Sequence, residues 1–423
     1  MENNKIKVVI VGAGFGGIIL AKKLSGKLFQ VMLIDKNNYH NFQPLLYQVA
    51  TGGLEPDSIA YPIRRIFRNR ENFSFRMADV QSVDAQKQVI QTSIGEISYN
   101  ILVLATGGTN NFFNFEPVKE KLLVLKLIPD ALNFRSYFMQ NLEQALSETD
   151  EEKKQEKMNV AIVGGGPTGI ELAGALAEMK RYVLPKDFPE LDLSKMNIYL
   201  FEAADRMLSA MSSKSSEGAY KFLTQLGVNV HLKAKVKDYD GAVLTLADET
   251  TFATQTVVWT AGVKGFPISG LSPESLTPSS RIKVDEFNKV LSYDNIYAIG
   301  DVAAYSSPSM PGGQPMLAPV SIKQALVLAK NLYRKYFEKP LIPFQYQSSG
   351  VMATVGRKKA VVDIKNNNFT GFFAWLVWMF VHLMSLVGFR NKIVTLIGWI
   401  SNYFSYDRPL GLIIRKYKRE KNN

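Results

Sequence analysis

Lys5–Gly17, KIKVVIVGAGFGG, and Asn159–Gly169, NVAIVGGGPTG, are the two stretches that decide the fold. Each opens on an apolar run rich in β-branched residues, which reads as a buried parallel strand. Each run then meets glycines spaced G-x-G-x-x-G. In the first they are Gly12, Gly14 and Gly17, with Ala13, Phe15 and Gly16 between them; in the second they are Gly164, Gly166 and Gly169. The first glycine permits a tight turn, the second lets backbone approach a pyrophosphate, and the third lets helix and strand pack closely. The helix that follows presents N–H groups and a partial positive charge to phosphate. Outward from the first turn, a helical stretch to about Leu24 and a strand Gln30–Asp35 complete a β-α-β unit. Asp35 lies 23 residues after Gly12, where a carboxylate accepts hydrogen bonds from a ribose diol. Outward from the second, a helix IELAGALAEMKRYV leads to a strand Asn197–Glu202, and Glu202 lies 38 residues after Gly164. That exceeds the usual ~20, and the insert Pro185–Lys195 explains the excess. A carboxylate there repels a 2′-phosphate, so NADH is favoured over NADPH. A repeat at 152 positions means a chain built from two nucleotide-binding halves, an α/β protein with two Rossmann-like domains.

Composition narrows the chemistry. The chain has 423 residues, 46% hydrophobic and 21% charged, as expected of folded domains rather than disorder. It has no cysteine, which excludes disulfide frameworks, thiolate metal sites, Fe–S clusters and redox dithiols. Three histidines make a multi-His metal centre improbable, and no metal is expected. The net charge of +12 suits an anionic partner. No motif that reads nucleic acid is visible. The opening MENNKIKVVIVGAG passes from polar residues into a strand and reads as carrying no signal or transit sequence. Further strands are read at Glu96–Gly108, Val257–Gly262 and Asn295–Ala303, and a helix from Pro319 to about Phe337. Ser147–Lys157, almost wholly charged or polar, reads as a solvated helix end plus linker.

Two dinucleotide sites call for two dinucleotides, and FAD with NADH is the economical pair. Tyr297-Ala298-Ile299-Gly300-Asp301 supports it, because a strand ending in Gly-Asp offers a carboxylate to a ribityl chain; a helix N-cap is the alternative for Asp301. GAGFGG, ATGG, GGGPTGIELAG, VVWTAGVKG and IYAIGDVA, in that order, resemble the two-dinucleotide-binding-domain flavoproteins. Within them, HNFQPLLYQVATG (His40–Gly52), GPTGIELAG, the late aromatic segment and SYDRPLGLIIR (Ser405–Arg415) resemble the type II NADH:quinone oxidoreductases over essentially the whole chain. The resemblance implies FAD contacts at Gly12, Ala13, Gly14, Phe15, Gly16, Gly17, Asp35, Lys36, Val80, Gly107, Asp301, Ala318 and Pro319. It implies NADH contacts at Gly164, Gly166, Gly169, Glu202 and Gly262. It further suggests that Glu171, at the first turn of the second unit's helix, relays a proton or senses nucleotide; a carboxylate favoured by the helix dipole is the plainer alternative.

The electrons must leave the flavin, and with no cysteine they go to oxygen, a protein carrier or a quinone. In the resembled family a motif like A-Q-x-A-x-Q-Q borders the quinone tunnel. Here Pro319 and Lys323 stand where two of its glutamines are expected, and only Gln324 matches. Lys323 and Gln324 are therefore the expected quinone contacts, with a solvated helix lysine the alternative for Lys323. Phe372–Phe389 is 18 residues and borderline for a span. In Lys392–Phe404, however, Ile393, Ile397, Ile400 and Phe404 share one face while Thr395, Gly398, Asn402 and Ser405 tend to the other. Two helices lying in the membrane interface are expected, anchored by Trp375, Trp378 and Trp399 and by Arg408, Arg415, Lys416, Lys418 and Arg419, with a buried core or dimer helix, or a true span, the alternatives. A segment from about Phe369 then reads as a removable anchor. The expected domains are 1–115 with 270–340 for FAD, 116–269 for NADH, and 341–423 for membrane anchoring. The expected protein is a monotopic flavoenzyme on the cytoplasmic face of the inner or plasma membrane, passing electrons from NADH to quinone without proton pumping. A homodimer is left open. A soluble flavoprotein reductase of a protein carrier or oxygen, and an NADH-binding redox sensor, are the other readings.

Overall fold

The computed structural model describes residues 5–24, 26, 28–307, 310, 313–365, 367–405, 411–413 and 415–418. Arg408, Arg419 and the side chain of Phe404 lie outside the described set. Contacts divide the chain into two compact units. One is Met1–His40 with Tyr61–Thr109 and Val263–Gln347; the other is Asn41–Ala60 with Asn110–Gly262 and Ser348–Asn423.

Along the chain, β1 (Ile6–Val11), α1 (Phe15–Leu24) and β2 (Phe29–Asp35) open the first unit. α2 (Leu46–Ala50) belongs to the second. The first unit resumes with β3 (Phe73–Met77), an antiparallel meander β4 (Val80–Asp84), β5 (Val89–Thr92) and β6 (Gly95–Ser98), and then β7 (Ile101–Leu104). The second unit continues with β8 (Leu123–Val124), α3 (Ile128–Leu146), α4 (Glu151–Met158), β9 (Val160–Val163), α5 (Pro167–Tyr182), β10 (Ile198–Phe201), α6 (Ser213–Gln225), β11 (Asn229–His231) and β12 (Thr256–Trp259). β13 (Ile296–Ala298) and α7 (Ala318–Tyr336) return to the first unit. An antiparallel sheet β14 (Val351–Thr354), β15 (Ala360–Ile364), β16 (Asn367–Gly371) and two helices, α8 (Phe372–Ser385) and α9 (Phe389–Ser405), complete the second.

Each unit holds a five-stranded parallel sheet, ordered β13-β7-β1-β2-β3 in the first and β8-β12-β9-β10-β11 in the second. In both, the strand that precedes a glycine turn lies between the strand that follows its helix and one from much later in the chain. That is the topological switch point at which ligands bind in doubly wound sheets. β1, Val8–Val11 and β9 throughout are buried, as parallel strands covered on both faces must be. β1 and β2 pack with α1 and α7 into one core, including Val8, Ile10, Leu20, Leu33, Leu328 and Leu332.

Several expectations need revising. Glu96–Gly108 is not one strand: β6 pairs with β5, while β7 pairs with β1. The break falls at Asn100, whose Oδ1 accepts from the Lys7 N–H at 2.8 Å. Ser147–Lys157 holds a real helix, α4, because the Asp150 carboxylate caps its start by accepting from Glu152 and Lys153 N–H. The contacts group Ser348–Asn423 with the second unit, where β14 packs on α5 and β15 on α6. α8 stops after 14 residues, about 21 Å of rise, and Gly388 (φ +87°) turns the chain into α9. No helix among the described residues is long and apolar enough to cross a membrane.

Candidate active site

The two glycine turns are built on the same plan. In the first unit Gly12 takes φ +107°, and a Cβ there would stand 2.2 Å from the Ala105 carbonyl oxygen. At Gly17 a Cβ would stand 1.9 Å from the Gly12 oxygen, so helix and strand touch backbone to backbone. At Gly14 it would meet nothing within 4 Å, which leaves the middle of the turn open to a ligand. The second unit repeats this: φ +117° at Gly164, a Cβ 2.0 Å from the Gly164 oxygen at Gly169, and open space at Gly166.

The acidic residues repeat as well. Asp35 accepts from the Ala13 N–H through Oδ2 and from the Asn37 N–H through Oδ1, both at 2.7 Å. Glu202 accepts from the Gly165 N–H at 2.7 Å and from the Ala204 N–H at 2.8 Å. Each carboxylate therefore ties the end of its strand to the residue after the first glycine. The remaining lone pairs are those a ribose diol would use. Burial raises the Asp35 pKa above the ordinary carboxylate value, opposed by those two N–H groups and Lys36.

Around the first turn, α7 supplies the rest of a cradle. Gln324 is fully buried, and its Oε1 accepts from the Gly300 N–H at 2.7 Å, fixing the Gly300–Asp301 turn after β13. Its Nε2 is buried without a partner, an orphan donor suited to an acceptor on a bound group. Asp301 is half-buried beside that turn. Ala318 and Pro319 begin α7, with Pro at a position that has no intrahelical N–H to lose. Lys36 is exposed over the Phe266 ring, Val80 is half-buried on β4, Gly107 has φ +75°, and Lys323 is exposed on α7. His40 is buried, its Nδ1 3.1 Å from the Ala13 oxygen and its pKa lowered by burial to about 4, so a neutral ring braces the turn from behind. Arg281 has no sequence signal, yet it is buried and donates to the carbonyls of Asp301, Ala303 and Gln314. The open turn, the carboxylate at the strand end, the second carboxylate at Asp301 and the orphan amide together fit a flavin dinucleotide.

In the second unit Glu171 sits one turn into α5, buried to 7% exposure, with the Thr354 N–H 3.4 Å from its Oε1. Burial dominates its ionisation and raises the pKa to about 8. The Trp378 indole covers the site at 1% exposure, its N–H opposing the effect of burial on the Glu171 pKa, and the His382 ring stacks on it at 4.1 Å. Tyr47, Gln48, Thr354, Arg357, Trp375, Trp378, Trp399 and Tyr403 line a pocket beside these groups. α9 is pinned to this pocket. Trp399 Nε1 donates to Gln48 Oε1 and Asn402 to the Gly53 oxygen, both at 2.8 Å, while the Arg357 guanidinium donates to the Asn402 and Tyr403 carbonyls. Trp378 and Trp399 are thus pocket walls rather than the interface anchors expected, and Trp375 is half-buried. The outward face is apolar, as the periodicity of α9 anticipated for Ile393, Ile397 and Ile400, which are exposed with Phe372, Phe373, Phe380 and Phe389; Thr395 on the opposite face is fully buried in the protein. Lys416 and Lys418 are exposed, whereas Arg415 donates to Asn133 on α3.

Comparison with known proteins agrees with this architecture. The family model described as pyridine nucleotide-disulphide oxidoreductase matches residues 6–325, and one for the NDH2 C-terminal domain matches 349–406. The chain is similar to the type II NADH:quinone oxidoreductase Ndh of Mycobacterium tuberculosis, at 34% identity over 417 residues, 95% of this chain and 89% of the relative. It is 32% identical to NdhA of the same organism, over 93% of this chain and 86% of that one. Among solved structures, NDH2 from Plasmodium falciparum in complex with NADH has a TM-score of 0.88 at 20% identity, covering 96% of this chain and all of the other. With no cysteine, the chain lacks the dithiol for which the broader family is named. It belongs to the pyridine nucleotide-disulphide oxidoreductases and, within them, to the type II NADH:quinone oxidoreductases.

Proposed function

We propose that this protein is a monotopic membrane flavoenzyme that oxidises NADH with FAD and reduces a membrane quinone. The observation that carries the reading is the doubled construction: two open glycine turns in one chain, each closed by a strand-end carboxylate. FAD is assigned to the first turn, held by Asp35 and by the Gly300–Asp301 turn that Gln324 and Arg281 fix. NADH is assigned to the second, with Glu202 on its adenosine ribose. FAD supplies the two-electron carrier between nicotinamide and quinone.

The chain's residues provide binding, water exclusion and a proton. The net reaction, NADH + H⁺ + quinone to NAD⁺ + quinol, consumes one proton beyond the hydride. With its pKa raised to about 8, Glu171 holds a proton on its carboxyl group at neutral pH. Trp378 and the other aromatic walls keep water from it. We assign Glu171 as the acid that passes this proton toward the quinone oxygen. The outward apolar face of α8 and α9 lies on the lipid, and the aromatic-walled pocket receives the quinone ring from that side. No proton-moving set of spans is present among the described residues, so the electron transfer conserves no energy directly.

Bleaching of the visible flavin band by NADH, followed by steady turnover with a short-chain quinone, tests the whole reading. A preparation that stays oxidised in NADH ends it, and turnover only with an added protein carrier favours a soluble reductase. Glu171→Gln keeps the shape and removes the exchangeable proton, so quinone turnover is expected to fall about 10²-fold while NADH-to-ferricyanide turnover, which needs no proton delivery, stays within about twofold. The sign of a pH effect follows from the same burial. The native state retains a proton between the ordinary 4.5 and about 8 that the unfolded chain releases. Stability therefore declines as pH rises through that window, by up to ~1.4 kcal/mol per unit. Thermal melts at pH 5 and pH 8 are expected to differ less in Glu171→Gln than in the parent.

Glu202→Gln has a double expected effect, because the carboxylate both holds Gly165 and meets the ribose. One turn hydrogen bond is replaced by an N–H facing an N–H. KM for NADH is expected to rise about tenfold, in line with loss of one charge-assisted hydrogen bond, and rejection of NADPH to relax. Initial rates with the two nucleotides check this, and an unchanged preference counts against the assignment.

A further inference from the structure

We propose that Phe113 is a stacking lid for the nicotinamide ring of NADH, a role that rests on the assignment of the second glycine turn to that nucleotide. Strand order supplies the placement. β12 lies on one side of β9 and β10 on the other. Glu202 follows β10, so with the adenosine ribose there and the pyrophosphate across Gly166, the rest of the nucleotide emerges over the carboxyl end of β12. Gly262 stands just past that end, with φ +72°. The Phe113 ring lies against it: Cε2 and Cζ are 2.7 Å from where a Cβ would stand.

The ring is held there by a strap. The Asn111 N–H donates to the Gly262 oxygen at 3.2 Å, and the Phe113 N–H to Asn111 Oδ1 at 2.9 Å. Trp259 Nε1 donates to the Asn111 oxygen at 3.0 Å, and Phe112 and Phe115 pack on the Trp259 ring. The neighbouring aromatics thus have a structural partner. Phe113 instead is 59% exposed and takes φ +50°, the one aromatic among the described non-glycine residues with left-handed backbone. A bulky residue in that conformation is unfavourable, and such positions gather at ligand clamps. An exposed flat ring at the switch point offers a face to a flat heteroaromatic ring, and Gly262, with no Cβ, lets the Phe113 ring sit there.

Phe113→Asn tests this cleanly, because asparagine tolerates the left-handed backbone while the ring is lost. Calorimetric titration of the holoenzyme would compare NAD⁺ with ADP-ribose, which lacks the nicotinamide. The expected result is a Kd for NAD⁺ about tenfold higher, the ratio that ~1.4 kcal/mol makes, with the ADP-ribose Kd unchanged and the melting temperature not lowered. Phe113→Tyr should bind both as the parent does. Unchanged NAD⁺ affinity in Phe113→Asn, or an equal loss for both ligands, overturns the proposal. Failure of the parent to bind ADP-ribose at all overturns instead the assignment of the second turn.

Discussion

A Gly14→Ala variant is expected to fold and to lose its flavin. In the protein itself the added methyl meets nothing within 4 Å, so the fold bears no steric cost. The space it fills is where backbone must approach a pyrophosphate. Pushing the phosphates outward by the radius of a methyl group breaks two or more charge-assisted hydrogen bonds from the turn and the start of α1. At ~1.5–3 kcal/mol each, the affinity loss is roughly 10²–10⁴-fold. Gly17→Ala is the informative contrast. Its methyl would stand 1.9 Å from the Gly12 oxygen, so α1 must lift off β1 and the turn itself is lost. Flavin absorbance per protein, with circular dichroism on the same samples, separates the two. Gly14→Ala should be colourless and folded, and Gly17→Ala colourless and destabilised. A Gly14→Ala protein that keeps a full complement of tightly held flavin would show that the dinucleotide lies elsewhere.

The second large effect concerns the lipid-facing surface. Phe380, Phe389 and Ile397 are 66%, 79% and 60% exposed on α8 and α9, so glutamate at all three should leave the fold intact. If each side chain enters the bilayer interface, losing it forfeits at least ~1.5 kcal/mol, and three together lower membrane partitioning by roughly 10³-fold. Repulsion from anionic lipid adds to this. The triple variant is expected to stay in the supernatant when mixed with vesicles of phosphatidylcholine and phosphatidylglycerol, and to keep NADH-to-ferricyanide turnover. Quinol formation from a long-chain quinone embedded in those vesicles should be lost. A triple variant that pellets with vesicles as the parent does would remove the membrane from the account. Deleting everything from Phe369, the simpler test suggested by composition, is the wrong one. It would take β16 from its sheet and strip Trp378 and Trp399 from the pocket, and loss of a buried aromatic alone costs about 3–5 kcal/mol.

The Trp residues show where the reading of composition stops. An aromatic in a Phe-, Leu- and Met-rich helix reads as an interface anchor, with a core residue as the alternative. Which of these Trp378 becomes depends on Tyr47 and Glu171, more than 200 residues away in sequence. Gln324 shows the same limit from the other side. The family pattern drew attention to it, but the partner that occupies its Oε1 is the N–H of Gly300, which the pattern does not contain. Arg281 left no signal at all, since its three acceptors are backbone carbonyls that any residues would provide.

What the sequence alone determined are the features set by near neighbours: both glycine turns, the carboxylates at the ends of their strands, the amphipathic period of α9 and the absence of thiol chemistry. These follow from backbone sterics and side-chain periodicity over a few residues, so they are written locally. Only the tertiary structure decided the burial of Glu171, the inward turn of two tryptophans, the clamp of Arg281 and the seat of Phe113 on Gly262. Each of these depends on desolvation or contact between segments far apart in the chain, and no local pattern carries that information.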